Sequence, residues 1–306
     1  MAGAVMTTPS PLRLGIVGLG KMGQLHASAW QRIPGVQLTA MVDLDPHKAT
    51  LAQRQSLAFF EQSQALAGKV DIAVIATPSD AHLATALPLL AAGVHCLVEK
   101  PLALDLASCN ALVSCAQQHN ALLAVGQSER FNPAIRKVRS ELARQPRGRA
   151  EVVRMVSRTM PGPFDADVVQ DLMVHDLDWL IDVLGKPHRQ IRILEQRMQA
   201  DQLCHVHCEL TFPGDRRVQL TASRESAYQR RQVILHDEHR GEVHTVDLNA
   251  AVAPGQPDAL TRQAHDFVQA LLGKASTIAL GHSALDVMSL SENIRQQCMA
   301  VDTLIY

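Results

Sequence analysis

Residues 12–23 read Leu-Arg-Leu-Gly-Ile-Val-Gly-Leu-Gly-Lys-Met-Gly, an apolar run of strand length followed at once by the spacing GxGxxG. In this pattern Gly18 permits a tight turn, Gly20 lets the backbone approach a pyrophosphate, and Gly23 lets a helix pack closely on the strand. Backbone amides at the start of that helix face the negative charge of the phosphates. The predicted cofactor contacts of this turn are Gly18, Gly20, Lys21, Met22 and Gly23.

An acidic residue follows the second predicted strand. That strand, Gln37–Val42, ends directly before Asp43, where a carboxylate accepts hydrogen bonds from the adenosine ribose of a dinucleotide. Neither Leu44 nor Asp45 is a cation, so a 2′-phosphate would meet carboxylates at this position. The sequence therefore predicts NAD as the cofactor, in preference to NADP.

The first part of the chain alternates short apolar runs with helical stretches up to about Gln127, the rhythm of a doubly wound parallel sheet. The predicted strands are Leu12–Val17, Gln37–Val42, Ile72–Ala76, His95–Val98 and Leu122–Val125, and the predicted helices begin near Lys21, His47, His82 and Leu106. We therefore expect an α/β protein whose residues 1–127 form an NAD-binding Rossmann domain.

The pattern changes after Phe131, where polar and apolar residues alternate along longer strands, as in a mainly antiparallel open sheet with one covered face. The predicted strands are Ala150–Arg158, Gln190–Met198, Cys204–Phe212, Arg217–Arg224, Arg231–His236 and Glu242–Leu248. The predicted helices are Pro133–Leu142, Val169–Leu184, one that begins at the cap Asp258 and one that begins near Ser283. We expect residues 128–306 to form an α/β domain for substrate binding and oligomerisation.

Composition narrows the classes of function. A length of 306 residues suits two domains. With 29 Lys and Arg against 30 Asp and Glu the net charge is −1, so the protein has no overall positive charge to attract nucleic acid or an anionic membrane. The apolar runs are too short to span a bilayer, and residues 1–11 lack the features of a secretory signal. Six scattered cysteines without a CxxC pair indicate reduced thiols, so we expect a soluble, cytoplasmic protein.

One segment, Cys204–Cys208, contains residue types that bind zinc. Its alternation instead places the cysteines with Val206 on one face of a strand and His205 with His207 on the other. We therefore predict a half-buried strand and no metal site.

Two further motifs carry a family resemblance. Residues 75–82, Ile-Ala-Thr-Pro-Ser-Asp-Ala-His, and residues 99–102, Glu-Lys-Pro-Leu, resemble the Gfo/Idh/MocA oxidoreductases. The resemblance implies that Lys100 lies beside the nicotinamide and the reacting carbinol. Read without the family, Lys100 would stand at the carboxyl edge of a parallel sheet or on a solvated loop. The resemblance further implies cofactor contacts from Thr77, Pro78, His82, Glu99, Lys100 and Gln127.

The segment Asp171–Asp178 is similar to the Asp-x-x-x-His motif of the same family. On a helix Asp171, His175, Asp178 and Asp182 form one polar stripe on an otherwise apolar element, which faces a cleft, a partner or water. We expect His175 to be the catalytic base, Asp171 to orient it and Lys100 to hold the alkoxide, with the division between His175 and Lys100 left open. Family members often carry glycines where Asp167–Gln170 stand here, and an exposed helix face is the alternative interpretation.

Residues 127–133, Gln-Ser-Glu-Arg-Phe-Asn-Pro, together with Asp171–Asp178 resemble the branch of the family that oxidises the 3-hydroxyl of UDP-N-acetylglucosamine. By that resemblance the product is a 3-keto sugar for a pyridoxal-phosphate aminotransferase in 3-amino sugar and lipid A biosynthesis. The outer face of the open sheet commonly meets another subunit in this family, so we expect a homodimer or homotetramer. Arginines available for a diphosphate are Arg154, Arg158, Arg224, Arg230 and Arg231. The predicted substrate contacts are Lys100, Arg130, Asn132, Arg158, Asp171, His175 and Arg224. The alternatives are a dehydrogenase of free monosaccharides or inositol-type polyols, and a non-catalytic NAD-binding sensor or subunit.

Overall fold

The computed structural model describes residues 10–144, 148–157, 166–188, 191–237, 240–249 and 255–302. They divide into two compact units. The first comprises the chain up to Gly126 together with Leu260–Gly281, and the second comprises Gln127–Ala259 with the chain from His282 onward. The division expected from the sequence differs in placing all of residues 128–306 in one domain.

Six parallel strands form the sheet of the first unit, in the order β3-β2-β1-β4-β5-β6. They are β1 Leu12–Val17, β2 Val36–Val42, β3 Ala58–Phe60, β4 Ile72–Ile75, β5 His95–Val98 and β6 Leu123–Val125. This order is that of the dinucleotide-binding Rossmann fold, which confirms the predicted fold class. The sequence prediction missed β3, because three residues at the edge of a sheet show no resolvable alternation.

The helices of this unit follow the strands as expected: α1 Lys21–Trp30, α2 Ala49–Gln53, α3 His82–Ala91 and α4 Leu106–Gln118. Helix α1 turns Gly23, His26, Ala27 and Trp30 inward, a spacing of three and four residues that packs one face on the sheet. Helix α4 begins at Asp105, whose carboxylate accepts the Ser108 amide at 2.8 Å.

A second six-stranded sheet lies in the second unit, in the order β12-β11-β7-β10-β9-β8. Its strands are β7 Arg149–Ser157, β8 Arg192–Gln199, β9 Gln202–Phe212, β10 Arg216–Ser226, β11 Arg230–Asp237 and β12 Glu242–Asp247. The pair β7–β10 is parallel and the other neighbours are antiparallel, so the prediction of a mainly antiparallel sheet is confirmed.

The remaining helices are α5 Pro133–Arg144, α6 Val174–Leu184, α7 Ala259–Leu271 and α8 Gly281–Asp302. One π-helical turn, Val169–Met173, leads into α6, where the sequence predicts a single continuous α-helix. Trp179 of α6 and Phe212 of β9 are fully buried in the core of the second unit.

Helix α7 returns to the first unit. Its Phe267 meets Trp30 of α1 edge to face, with ring centroids 5.6 Å apart. Beyond α7, the carbonyl of Ala279 accepts the amide of Val125 at 2.8 Å and so covers the open edge of β6.

Strand β9 has the predicted alternation only in part. Cys204, Val206 and Cys208 are buried, but on the opposite face His205 and Glu209 are also largely withdrawn from solvent. None of the described histidines, cysteines and carboxylates gathers in a group of three that could hold a metal ion. No helix in the described part of the chain has the length and apolar character needed to cross a bilayer.

Candidate active site

The three glycines of the first turn have distinct roles in the structure. Gly18 has a φ of +87°, and a Cβ there would lie 2.7 Å from the carbonyl of Ala76. A Cβ on Gly23 would lie 1.8 Å from the carbonyl oxygen of Gly18, so only glycine lets α1 approach β1 this closely. At Gly20 the position of a Cβ has no protein atom within 4 Å. Gly18 and Gly23 therefore serve packing, and Gly20 leaves the space that a pyrophosphate needs.

Asp43 is fixed beside the glycine turn. Its Oδ2 accepts the backbone amide of Leu19 at 2.7 Å, and its Oδ1 accepts the amide of Asp45 at 2.9 Å. A carboxylate has about four lone-pair sites, so two bonds leave acceptor capacity for ribose hydroxyls. Asp43 thus orients the turn and stands ready for the adenosine half of a dinucleotide.

Four neighbouring strands bring the predicted cofactor residues to one edge. Gly18, Asp43, Thr77 and Glu99 come just after β1, β2, β4 and β5, and the chain reverses its strand order between β1 and β4. Ligands of such sheets bind at this switch point. The hydroxyl oxygen of Thr77 is buried and has no hydrogen-bond partner among the described residues, as expected for a group that meets a ligand. These residues fit NAD.

The Glu99 side chain contacts His26 of α1. Its Oε1 lies 2.7 Å from Nε2 of His26 on α1, and both residues are largely buried. Its Oε2 accepts the backbone amide of Lys100 at 3.3 Å. Glu99 therefore links His26 to the backbone of Lys100, a role that the sequence does not reveal.

His82, predicted as a cofactor contact, also holds loops together. Its Nδ1 is 2.8 Å from the carbonyl oxygen of Pro101, and its Nε2 is 3.0 Å from that of Thr77. Both partners are backbone carbonyl oxygens, which accept hydrogen bonds from ring N–H groups. His82 ties the loop after β4 to the loop after β5.

Asp171 lies in the π-helical turn before α6, and His175 follows in the first turn of that helix. Asp167 lies two residues before this turn, and its Oδ1 accepts the amides of Val169 and Gln170 at 2.9 and 3.0 Å. Arg224 of β10 donates from Nη2 to Oδ2 of Asp171 at 2.8 Å. The structure thus brings together Asp171 and Arg224, which the sequence singled out separately, and leaves His175 partly exposed.

Asp178 and Asp182, the rest of the predicted polar stripe, pair with arginines. Asp178 is 1% exposed and accepts Nε and Nη2 of Arg130 at 2.6 and 2.7 Å. Asp182 accepts Nη1 of Arg130 at 3.1 Å and Nη1 of Arg139 at 2.6 Å. This geometry gives Arg130 a structural role, and its contact with a sugar stays a prediction.

Asn132, a predicted substrate contact, and Arg154, one of the arginines available for a diphosphate, are also engaged within the second unit. Asn132 caps α5, since its Oδ1 accepts the amide of Ala134 at 2.9 Å, and its Nδ2 donates to the carbonyl of Leu248 at 3.0 Å. Arg154 is buried in a double hydrogen bond with Asp176, at 2.7 and 2.9 Å.

The remaining arginines expected to meet a diphosphate differ in their surroundings. Arg231 pairs with Glu129 and Arg224 with Asp171, while Arg230 is half-buried. Arg158 lies outside the described residues. All three paired arginines contact carboxylates, and Arg224 is the one whose partner, Asp171, is a predicted catalytic residue.

Gln127 opens the second unit. Its side chain is buried, and its Oε1 has no hydrogen-bond partner in the part of the chain that the structure describes. Lys21 is exposed and Met22 half-buried at the start of α1, while Pro78 precedes a short 3₁₀ turn that leads into α3. These positions are compatible with cofactor contacts, which stay predictions.

Comparison with known proteins gives a family match for the first part of the chain. Residues 12–127 match the model of an oxidoreductase family with an NAD-binding Rossmann fold, GFO/IDH/MocA. The whole chain is similar to UDP-N-acetylglucosamine 3-dehydrogenase of Acidithiobacillus ferrooxidans, at 28% identity over 93% of this chain and 96% of that protein. The solved structure of that enzyme matches with a TM-score of 0.79, covering 93% of this chain and 97% of that one. Residues 12–127 therefore form an NAD-binding Rossmann domain of the type found in this oxidoreductase family. The chain is an NAD-dependent dehydrogenase.

Other relatives match less completely in sequence. The inositol 2-dehydrogenase of Acidothermus cellulolyticus is 30% identical over 64% of this chain and 60% of that protein. The structure of scyllo-inositol dehydrogenase from Lactobacillus casei, with NAD(H) and scyllo-inositol bound, matches with a TM-score of 0.77 at 17% identity, over 94% of this chain and 96% of that one. At that identity the match shows the shared fold.

Sequence reasoning missed His26 as a member of the site. A signal was present, because His26 falls on the inward face of α1 with Gly23 and Trp30, at a position where an apolar residue is expected. A buried histidine needs a partner, and the neighbouring motif offered the carboxylate of Glu99.

Proposed function

We propose that the chain oxidises the 3-hydroxyl of a UDP-sugar, with UDP-N-acetylglucosamine as the preferred substrate, to the 3-keto sugar. The observation that carries this proposal is the extent of the similarity. The match to the A. ferrooxidans enzyme covers 93% of the chain, including the unit that holds Asp171 and His175, whereas the inositol 2-dehydrogenase of A. cellulolyticus matches 64%.

The chemistry asks three things of the site. Oxidation of a CH–OH group needs a base for the hydroxyl proton, a cation for the developing alkoxide and a hydride acceptor near the same carbon. Bound NAD supplies the hydride acceptor. In the proposed reaction His175 takes the proton, the ammonium of Lys100 holds the alkoxide oxygen, and Asp171, itself held by Arg224, orients His175.

A diphosphate in the substrate requires positive charge, and Arg224 is our proposed contact. The guanidinium has five N–H donors, so one bond to Asp171 leaves others for phosphate oxygens. A free sugar or polyol needs no such group. Arg224→Lys should therefore weaken binding of a UDP-sugar more than binding of an uncharged sugar.

The deciding experiment is a substrate panel with NAD, followed by NADH absorbance and by mass spectrometry of the product. The panel contains UDP-N-acetylglucosamine, UDP-glucose, free N-acetylglucosamine and myo-inositol. We expect turnover of a UDP-sugar with loss of two hydrogens from the sugar ring. Turnover of myo-inositol alone would overturn the proposal and favour the polyol alternative, which the similarity to inositol 2-dehydrogenases supports.

Two further proposals concern partners. A 3-keto sugar is a substrate for transamination, so we propose that a pyridoxal-phosphate aminotransferase consumes the product on a route to 3-amino sugars such as those of lipid A. We also propose a homodimer or homotetramer. Light scattering would give a multiple of the 33.3 kDa chain mass, and a mass of one chain would contradict it.

A further inference from the structure

A buried histidine is hydrogen-bonded to the Glu-Lys-Pro motif of the first unit. His26 on α1 is 1% exposed, and its Nε2 is 2.7 Å from Oε1 of Glu99, which is 9% exposed. Charge-assisted hydrogen bonds of this length are stronger than neutral ones, and burial strengthens them further. The pair therefore fixes the Glu99 carboxylate in one orientation.

The surroundings of Glu99 restrict it further. A Cβ on Gly126 would lie 2.8 Å from Oε1, so the chain after β6 passes directly against the carboxylate. The other oxygen, Oε2, accepts the backbone amide of Lys100 at 3.3 Å. Glu99 is thus an intermediary that connects the ring of His26 to the backbone of Lys100.

The lysine segment is held from its other side by α3. Nδ1 of His82 lies 2.8 Å from the carbonyl oxygen of Pro101, the residue after Lys100. Helix α1, which carries His26, begins at the glycine turn, and α3, which begins with His82, follows the loop of Thr77. Both supports of the lysine segment therefore come from helices that start at the dinucleotide edge of the sheet.

We infer that His26 is a positioning residue, which acts through Glu99 to hold Lys100 where it can meet the alkoxide. The inference rests on the proposed function for the role of Lys100. Reactive groups need to be held within a fraction of an ångström, and a misplacement of about 1 Å costs about a hundredfold in rate. A side chain without any contact with substrate thereby controls turnover.

Replacement of His26 by each of two neutral amides, Gln and Asn, tests whether it positions Lys100. In His26→Gln the amide nitrogen stands near the position of Nε2 and can donate to Glu99, whereas in His26→Asn it cannot reach that far. We expect His26→Asn to lower kcat by about tenfold or more, as loss of a hydrogen bond to a buried charge implies, and His26→Gln to recover most of it. The NAD dissociation constant should change by less than about twofold in either variant, because neither removes a ribose or pyrophosphate contact. His119→Ala, an exposed histidine at the end of α4, is the control.

The chemical reactivity of Lys100 provides a second measurement, which does not depend on turnover. In the protein without substrate, the rate at which acetic anhydride acetylates Lys100 is compared by peptide mass spectrometry with that of the exposed Lys274. We expect His26→Asn to change the ratio and His26→Gln to leave it near the wild-type value. Glu99→Gln, which keeps a single acceptor oxygen, should resemble His26→Asn and serves if that variant does not fold.

Equal kcat and equal Lys100 reactivity in the Asn variant, the Gln variant and wild type would overturn the inference. Equal losses in the Asn and Gln variants, with lowered melting temperatures in both, would overturn it as well, since they would indicate a role in folding alone. If Lys100→Ala retains full turnover, the proposed function fails, and the acetylation ratio still reports whether His26 positions the lysine.

Discussion

Lys100 and His175 are the two side chains on which the proposed chemistry depends. We expect Lys100→Ala and His175→Ala each to lower kcat by about a thousandfold, the range of general acid–base and electrostatic contributions. Both substitutions leave the glycine turn and Asp43 intact, and Lys100 is only one of many predicted cofactor contacts, so the NAD dissociation constant should stay nearly unchanged. Steady-state kinetics and NAD titration measure the two quantities separately. Turnover like that of wild type in both variants would remove the proposed mechanism.

Asp43 connects cofactor affinity to the shape of the glycine turn. Asp43→Ala removes the ribose acceptor and also the 2.7 Å bond to the Leu19 amide, so NAD affinity should fall by about tenfold or more. Asp43→Asn keeps one oxygen for Leu19 and should lose less. Fluorescence titration with NAD compares the two, and an unaltered dissociation constant in the alanine variant would contradict the assignment of Asp43.

At the scale of single residues, sequence reasoning worked where a residue type has one main use. The glycines and Asp43 stand as the spacing predicts, because the turn geometry leaves little choice. It did not anticipate His26 or the structural pairing of Arg130. Those contacts join residues far apart in the chain, and the pattern around each residue carries no record of its partner.

The turn between β1 and α1 separates the requirements of folding from those of binding. Gly23→Ala places a Cβ against the carbonyl of Gly18, so α1 must shift from β1 and the melting temperature should fall by several degrees, equivalent to about 1–3 kcal/mol. Gly20→Ala meets no protein atom and should leave the melting temperature unchanged while weakening NAD binding. Thermal unfolding with and without NAD tests both variants. Equal melting temperatures for the two without NAD would contradict the packing role of Gly23.

Helix α6 is fastened to the turn before α5 by a buried ion pair. Arg130→Ala leaves the Asp178 carboxylate buried without its main partner, which should cost about 3–5 kcal/mol of unfolding free energy. Arg139→Ala removes a partly exposed pair with Asp182 and should cost at most about 1 kcal/mol. Urea denaturation measures both. Similar losses in the two variants would show that burial does not set the cost.

At the scale of elements, periodicity located nearly every strand and helix, since apolar alternation and helical spacing are local properties. It could not locate β3, whose three residues are held by pairing with β2. Nor could it separate the π-helical turn Val169–Met173 from α6. That turn depends on the cap at Asp167, whose Oδ2 receives Arg295 of α8 at 2.5 Å.

Two buried cysteine thiols, one in each unit, make the stability of the protein depend on pH. Burial raises the pKa of Cys96 in the first unit and of Cys208 in the second. The folded protein therefore keeps both protonated at pH values where the unfolded chain, with thiol pKa values of about 8.5, releases protons. This contribution to stability is fully present below that pH and is lost as pH rises toward the folded-state values.

We accordingly expect the urea midpoint to decrease above about pH 8.5. Iodoacetamide should label the half-buried Cys115 in the native protein, and label Cys96 and Cys208 only as their units unfold. Peptide mass spectrometry across a urea series follows each thiol. Rapid native labelling of Cys96 would contradict the burial on which the pH dependence rests.

The return of residues 260–281 to the first unit has a consequence for protein engineering. A single crossover near residue 127 between related genes would separate two pairs of partners into different parents. Trp30 and Val125 would come from one parent, and Phe267, which packs on Trp30, and Ala279, which accepts the Val125 amide, would come from the other. Exchange of the nucleotide-binding module between relatives therefore needs breakpoints near 126, 259 and 281. We therefore expect cofactor preference to be transferred only when both segments of the first unit are exchanged together.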